Sequence, residues 1–269
     1  MANEIEKYQY NKLMGKINTV LNNLEDYIQN LGAIRKFTEA GTYTFKIPVG
    51  VTSILVSGIA AGGGGGGGGG EDGWRDTAGS GGGGGGYGEY VIDRTIAVTP
   101  GETLTVIVGA NGTGGAAGQN GFSNSSPYPQ SGQKGGDGGN TILKRETTAL
   151  LTLTGGTGGG AGVRGNTSDS HTVAVGGSGG ITGGANGDNT TVPTGSGTTS
   201  AYYLLGAGGA GGSTSYFGEK FGQGGSGGDG GGHKTYQGSL YKPVSGSDGT
   251  GGAFAICFGQ GNNYNAIEW

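Results

Sequence analysis

The sequence predicts a mostly β and irregular chain in which an N-terminal α-helical coiled coil leads into a small β portion and a bundle of glycine-rich helices of polyglycine-II type. Three observations predict it. Glycine supplies 72 of 269 residues, nine of them in succession from Gly62 to Gly70, where an average protein holds roughly 7%. Apolar segments such as TSILVSGIAA, LTVIVGA, ALLTLTG and AFAICF interrupt the glycine runs. The first 37 residues hold only two glycines and carry a helical period instead.

The glycine excess has three ordinary outcomes, and two fail. Collagen needs Gly at every third position with Pro between, but the chain has 6 Pro and its spacing drifts from GGGGGG to GGAAG to GGANG. Disorder goes with few apolar residues and high net charge, yet the apolar segments recur and the formal net charge is -4. There remains a helix with three residues per turn and no internal hydrogen bonds, whose N–H and C=O groups point outward. Such helices satisfy one another laterally, with Cα–H contacts adding a small term. Glycine loses the most freedom on folding, so β segments or a partner chain are needed to hold the bundle in register.

The elements follow in order. Residues 1–37 read as a helical oligomerisation and attachment segment, and 38–269 as a glycine-rich domain. Tyr10, Leu13, Ile17, Val20, Leu24, Tyr27, Leu31 and Ile34 alternate in spacings of three and four, a heptad seam with Tyr10, Ile17, Leu24 and Leu31 at a. The β-branched residues at d disfavour two strands, so the reading is a homotrimer; the alternative is an amphipathic helix lying on its own domain or on a different protein. Gly41–Ala61 reads as two strands joined at Pro48-Val49-Gly50, with further β units at 88–110, 140–155 and 253–259. Thr99-Pro100-Gly101-Glu102 carries Pro and Gly where a type II turn prefers them. Between and after these lie glycine runs near 62–70, 79–86, 112–118, 132–139, 155–162, 176–187, 206–212, 222–232 and 246–252. At about 3.1 Å per residue they make rods of about 20 to 28 Å, suited to one bundle.

Composition narrows the function. Mild acidity without a basic patch argues against nucleic acid. The single cysteine, Cys257, rules out an intrachain disulfide framework and fits folding in a reducing cytoplasm. The start MANEIEKYQYNK is too polar for a signal peptide, and no apolar stretch of about 20 residues would insert in a membrane; release by lysis is the expected route outward. Catalytic motifs fail one by one. Copies of GxGxxG arise by chance in so much glycine, and none joins a strand to a helix. Gly228–Thr235 approaches a phosphate loop but has His233 where Gly is needed. Gly224–Asp229 begins a calcium nonapeptide and lacks its apolar residue. His171 and His233 have no metal-ligand spacing, and paired carboxylates occur only as scattered loop residues such as Glu71 and Asp72, with no positive sign of a glycosidase. Neither enzyme activity nor a cofactor nor a metal is expected, and the Thr array that an ice-binding face would need is missing.

The stretches GTYTFKIPVGVTSILVSGIAAGGGGGGGGG, GGYGEYVIDRTIAVTPGETLTVIVGANGTGG and GGAFAICFG resemble the glycine-rich domain of bacteriophage tail-fibre and tip proteins. The resemblance implies a β portion feeding a polyglycine-II sandwich on a virion fibre assembled in the host cytoplasm, with loops that bind a host-cell surface receptor, protein or polysaccharide. It is similar in principle to the tip adhesins of T-even-like phages, from which this chain departs by its leading helix. Another virion protein would be met through that helix. The rival reading is a structural head fibre or decoration protein with no specific receptor.

The aromatic residues supply candidate contacts, because Tyr and Trp give rigid contact area at low entropic cost. These are Trp74 and Arg75, Tyr128, Tyr202 and Tyr203, Tyr216 and Phe217, and Tyr236; the alternative for each is a cover over a rod end or a seam. If each rod reverses the last, inserts 71–78 and 122–131 lie at the far tip. Strict alternation also sends 163–175 and 213–221 there, but it strands AFAICF away from its sheet, so one later insert must fail to reverse.

Overall fold

A computed structural model describes residues 2–29, 33–73, 77–122, 124–165, 180, 182–189, 205–214, 217, 220–233 and 240–258. The element order is α1 (Ala2–Gln29), β1 (Ala33–Phe37), β2 (Gly41–Lys46), β3 (Ser53–Ile59), β4 (Tyr90–Ala97), β5 (Thr103–Val108), β6 (Thr141–Arg145), β7 (Thr148–Leu153), β8 (Gly232–His233), β9 (Leu240–Tyr241) and β10 (Ala253–Phe258).

The predicted fold class is corrected at its start. Among the described residues there is one helix, about a tenth of the chain, and no coiled coil. α1 stops at Gln29, and Ala33–Phe37, expected in the same helix, pairs antiparallel with β10, Ala33 opposite Phe258 and Phe37 opposite Phe254. The cause is local and tertiary together. Asn30 and Gly32 are helix-stopping residues, and a strand joining a sheet edge gains a ladder of backbone hydrogen bonds. Tyr10, Leu13, Ile17, Val20 and Leu24 are exposed on α1. Tyr27 lies within α1, Leu31 lies outside the described residues, and Ile34 sits in β1 opposite Cys257. The 3/4 spacing therefore crosses two elements, and only its part from Tyr10 to Tyr27 lies on the helix.

The β portion is also larger than expected. Two four-stranded antiparallel sheets, ordered β1-β10-β3-β4 and β2-β5-β6-β7, face each other across a core that includes Val56, Phe254 and Ile256 from one sheet and Leu104, Val106 and Leu143 from the other. The rings of Phe45 and Phe258 meet at 5.5 Å. Each such side chain contributes about 1.5–3 kcal/mol on leaving water. The two predicted strands of 41–61 enter opposite sheets, turning where Val51 N–H reaches the Pro48 carbonyl with Gly50 at φ 86°. At 99–102 the Glu102 N–H closes on the Thr99 carbonyl with Gly101 at φ 81°, the left-handed conformation a type II turn requires at its third residue. The Glu102 carboxylate accepts two hydrogen bonds from Arg145, at 2.7 and 2.9 Å, and Arg145 also donates to the Ala97 carbonyl. One guanidinium thus links β4 in one sheet to β6 in the other, and its hydrogen bonds hold the Glu102 carboxyl below the usual range.

From β3 the chain runs directly into the glycine run 62–70, the axis of a rod bundle. Its N–H groups donate in rotation to three antiparallel rods: Gly62 to Thr250, Gly63 to Gly86, Gly64 to Gly136, then Gly65 to Ser247, Gly66 to Gly83 and Gly67 to Gln133. Its carbonyls accept in the same rotation from three parallel rods, Gly62 from Gly112, Gly63 from Gly225 and Gly64 from Gly159. Recurrence every third residue is the period of a polyproline-II-type helix. Six rods, 79–88, 154–165, 129–139, 109–121, 243–252 and 222–231, close a ring around the axis. Rods 182–189 and 205–212 extend the array beside 79–88.

Side chains finish the outer seams. The Asp137 carboxylate accepts the Gly158 N–H at 2.7 Å, and the Asn140 amide oxygen accepts that of Gly155 at 2.9 Å. Asp248 and Ser245 take the N–H groups of Gly114 and Ala117. Within each pair the two acceptors are three residues apart, so both meet the same neighbouring rod.

Candidate binding face at the far end of the bundle

The polarity of the rods decides which inserts meet. Rods 62–70, 109–121, 154–165, 182–189 and 222–231 run away from the sheets; the others return. Among the described rods, alternation fails once. Gly165 donates to Gly70 at the far end, whereas Gly180 donates to Gly84 near the sheets, and rods 154–165 and 182–189 both run outward. That single break returns rod 243–252 to the sheets, where β10 takes its place between β1 and β3.

Two far-end inserts are built as one unit. Asp72 and Thr77 exchange backbone hydrogen bonds of 2.9 and 3.2 Å, closing the short loop that holds Trp74 and Arg75. Gly121 donates to the Glu71 carbonyl and accepts from Gly73, while the Asn120 side chain accepts the Glu71 N–H at 2.9 Å. In the second loop, Phe122 N–H donates to the Pro127 carbonyl and Ser125 N–H to the Phe122 carbonyl. A Cβ on Gly73 would press on the Phe122 ring at 2.9 Å, so the ring covers the base of the first loop. Phe122 is 47% and Tyr128 58% exposed. Beside them Arg164 donates from Nη1 to the Pro129 carbonyl at 3.0 Å, and its N–H bonds the Ser131 hydroxyl.

The predicted contacts separate under this geometry. Tyr128 stands at the far end. Trp74, Arg75, Tyr202, Tyr203, Tyr216 and Tyr236 lie outside the described residues, although the residues flanking 74–76 and the β8–β9 pair flanking Tyr236 are at the far end. Phe217 is corrected: it is 1% exposed and packs with Ile59 and Ala253 at the sheet end, its ring 6.0 Å from that of Tyr90. The break in alternation moved insert 213–221 to that end. Sequence reasoning passed over Phe122. The signal was present, since Gly112, Gly115, Gly118 and Gly121 keep a strict three-residue register and the next residue is the first released from the rod.

No group of three or more His, Cys, Asp or Glu gathers as a metal site among the described residues, and no helix among them is long and apolar enough to cross a membrane. None of the curated proteins matches the chain. The family model of a glycine-rich domain matches residues 38–266, which take in the rods and every strand but β1, and the chain belongs to that glycine-rich domain family.

Proposed function

We propose that the chain is a non-enzymatic bacteriophage fibre or tip protein, working without a cofactor on the virion, whose far-end loops bind a host-cell surface receptor and whose N-terminal helix meets another virion protein. The polarity of the molecule carries this reading. α1 leads into β1 at Ala33, opposite Phe258 and thus at the sheet end away from the bundle, while Tyr128 and the Asp72–Thr77 backbone pair occupy the opposite end. A rigid rod array between the two poles supports it, because loops on a fixed scaffold lose little freedom when they bind.

The test is attachment of the purified, labelled chain to bacterial cells, comparing wild type with a Trp74→Ala, Arg75→Ala, Tyr128→Ala triple variant. Attachment should weaken at least about tenfold, as loss of aromatic and Arg anchors does at other interfaces, with the melting temperature unchanged. Full attachment by a folded triple variant would move the contact off these loops. A chain that decorates particles but binds no cell would leave the decoration role instead.

A further inference from the structure

We propose that the loop 121–129 is a saccharide-binding site for uncharged sugar units of a surface polysaccharide, with Phe122 and Tyr128 as its stacking residues; the biological role rests on the host-attachment reading above. Three observations carry the assignment. Both rings stand well out of the surface, at 47% and 58% exposure, on a loop tied by backbone hydrogen bonds to itself and to the rods. No charged side chain occurs from Thr103 to Gln133, a stretch that takes in the loop, the rod before it and the first five residues of the rod after it. The side chains next to the rings along the chain are amide and hydroxyl: Gln119, Asn124, Ser125, Ser126 and Gln130 are all exposed.

The chemistry points one way. The face of an aromatic ring is electron-rich, and a pyranose presents a patch of weakly positive C–H groups to it. Its hydroxyls both donate and accept, matching Asn, Gln and Ser, which also do both. A phosphate or sulfate would call for bidentate Arg or a cluster of cations. The nearest described guanidinium, that of Arg164, is engaged by the Pro129 carbonyl. Arg75 and Asp76 lie in the neighbouring loop and balance each other in formal charge.

The full chain should be applied to immobilised neutral oligosaccharides (glucosides, galactosides, mannosides and their N-acetyl-hexosamine counterparts) beside sialylated and sulfated ones. Binding to at least one neutral member is expected, nearly constant from about 0.05 to about 0.5 M NaCl because no ion pair is there to be screened. Phe122→Ala and Tyr128→Ala should each weaken it about tenfold, whereas Tyr128→Phe should retain it; unchanged melting of all three excludes misfolding. Recognition confined to charged glycans, no binding across the neutral set, or alanine variants that bind like wild type would overturn the site. On bacterial cells, attachment should be lost after periodate oxidation and survive surface proteolysis. The reverse sensitivity refutes the saccharide and leaves host attachment standing. Absence of any cell binding beside neutral-glycan binding refutes host attachment and leaves the saccharide site.

Discussion

The sandwich and the rod bundle adjoin in one chain and solve the same problem by opposite means. In the sandwich, backbone groups pair along strands and the interior is filled by side chains such as Leu104 and Ile256, both 0% exposed. Around the bundle axis, the interior is backbone. A Cβ on any glycine from Gly62 to Gly70 would collide with a main-chain carbonyl, on rod 222–231 for Gly62, Gly65 and Gly68, on rod 154–165 for Gly63, Gly66 and Gly69, and on rod 109–121 for Gly64, Gly67 and Gly70. Outer rods meet the axis on one face, and there glycine is held at every third position, as at Gly112, Gly115 and Gly118 or Gly246, Gly249 and Gly252. Sandwich specificity comes from which side chain is present; bundle specificity comes from where one is forbidden.

The comparison breaks hardest at the axis. Gly66→Val would drive its side chain onto the Gly160 carbonyl, and backbone held on all sides has nowhere to move. The expected loss exceeds the whole stability of an ordinary domain, about 5–15 kcal/mol, and would be read as absent soluble, protease-resistant protein. Thr113→Val on an outer rod, where a side chain already points to solvent, should change melting by less than about 0.5 kcal/mol. A folded Gly66→Val protein would end the claim that the axis excludes side chains.

A middle-sized effect belongs to the sandwich. Leu104→Ala leaves a void that neighbours partly fill, for a cost of about 2–5 kcal/mol, seen as a lowered denaturant midpoint in a chain that still folds. If that substitution were as lethal as Gly66→Val, the two interiors would not differ in tolerance as argued.

The smallest effect sharpens the seam. The Asp137 carboxyl is held below its ordinary range, first by the Gly158 N–H and then by Lys134. A lowered folded value means its contribution is present above the ordinary carboxylate range and is lost as pH falls through the folded value. Asp137→Ala should cost about 1 kcal/mol at neutral pH, the scale of one exposed hydrogen bond, and the gap from wild type should close in acid. A gap that persists unchanged at low pH would assign the loss to something other than the carboxylate.

How much of this was legible turns on range. The turn at Thr99–Glu102 is written in Pro100 and Gly101, because φ is a local property. The period-three glycines of the outer rods are legible too, since a steric rule acts at every crossing. The end of α1 was written in Asn30 and Gly32, but the apolar spacing of Leu31 and Ile34 masked it, as a short alternating stretch fits either period. β1 owes its existence to β10, more than 200 residues away, which no local pattern contains. The same holds for Phe217: its end of the bundle depends on rods 154–165 and 182–189 running the same way, and counting runs does not reveal which pair will.

The closed axis also has a genetic consequence. Glycine codons begin with two guanines, and any single-base change at either position installs a residue with a Cβ or a stop. A leucine core drifts through isoleucine, valine and methionine and is repaired by compensating changes nearby; the run 62–70 has no neighbouring amino acid to visit and no side chain around it to adjust. Inherited variation in this protein is therefore channelled to silent third bases in the axis and to positions outside it, the far-end loops among them, so on the attachment proposed above the contacting part is also the part most at liberty to change.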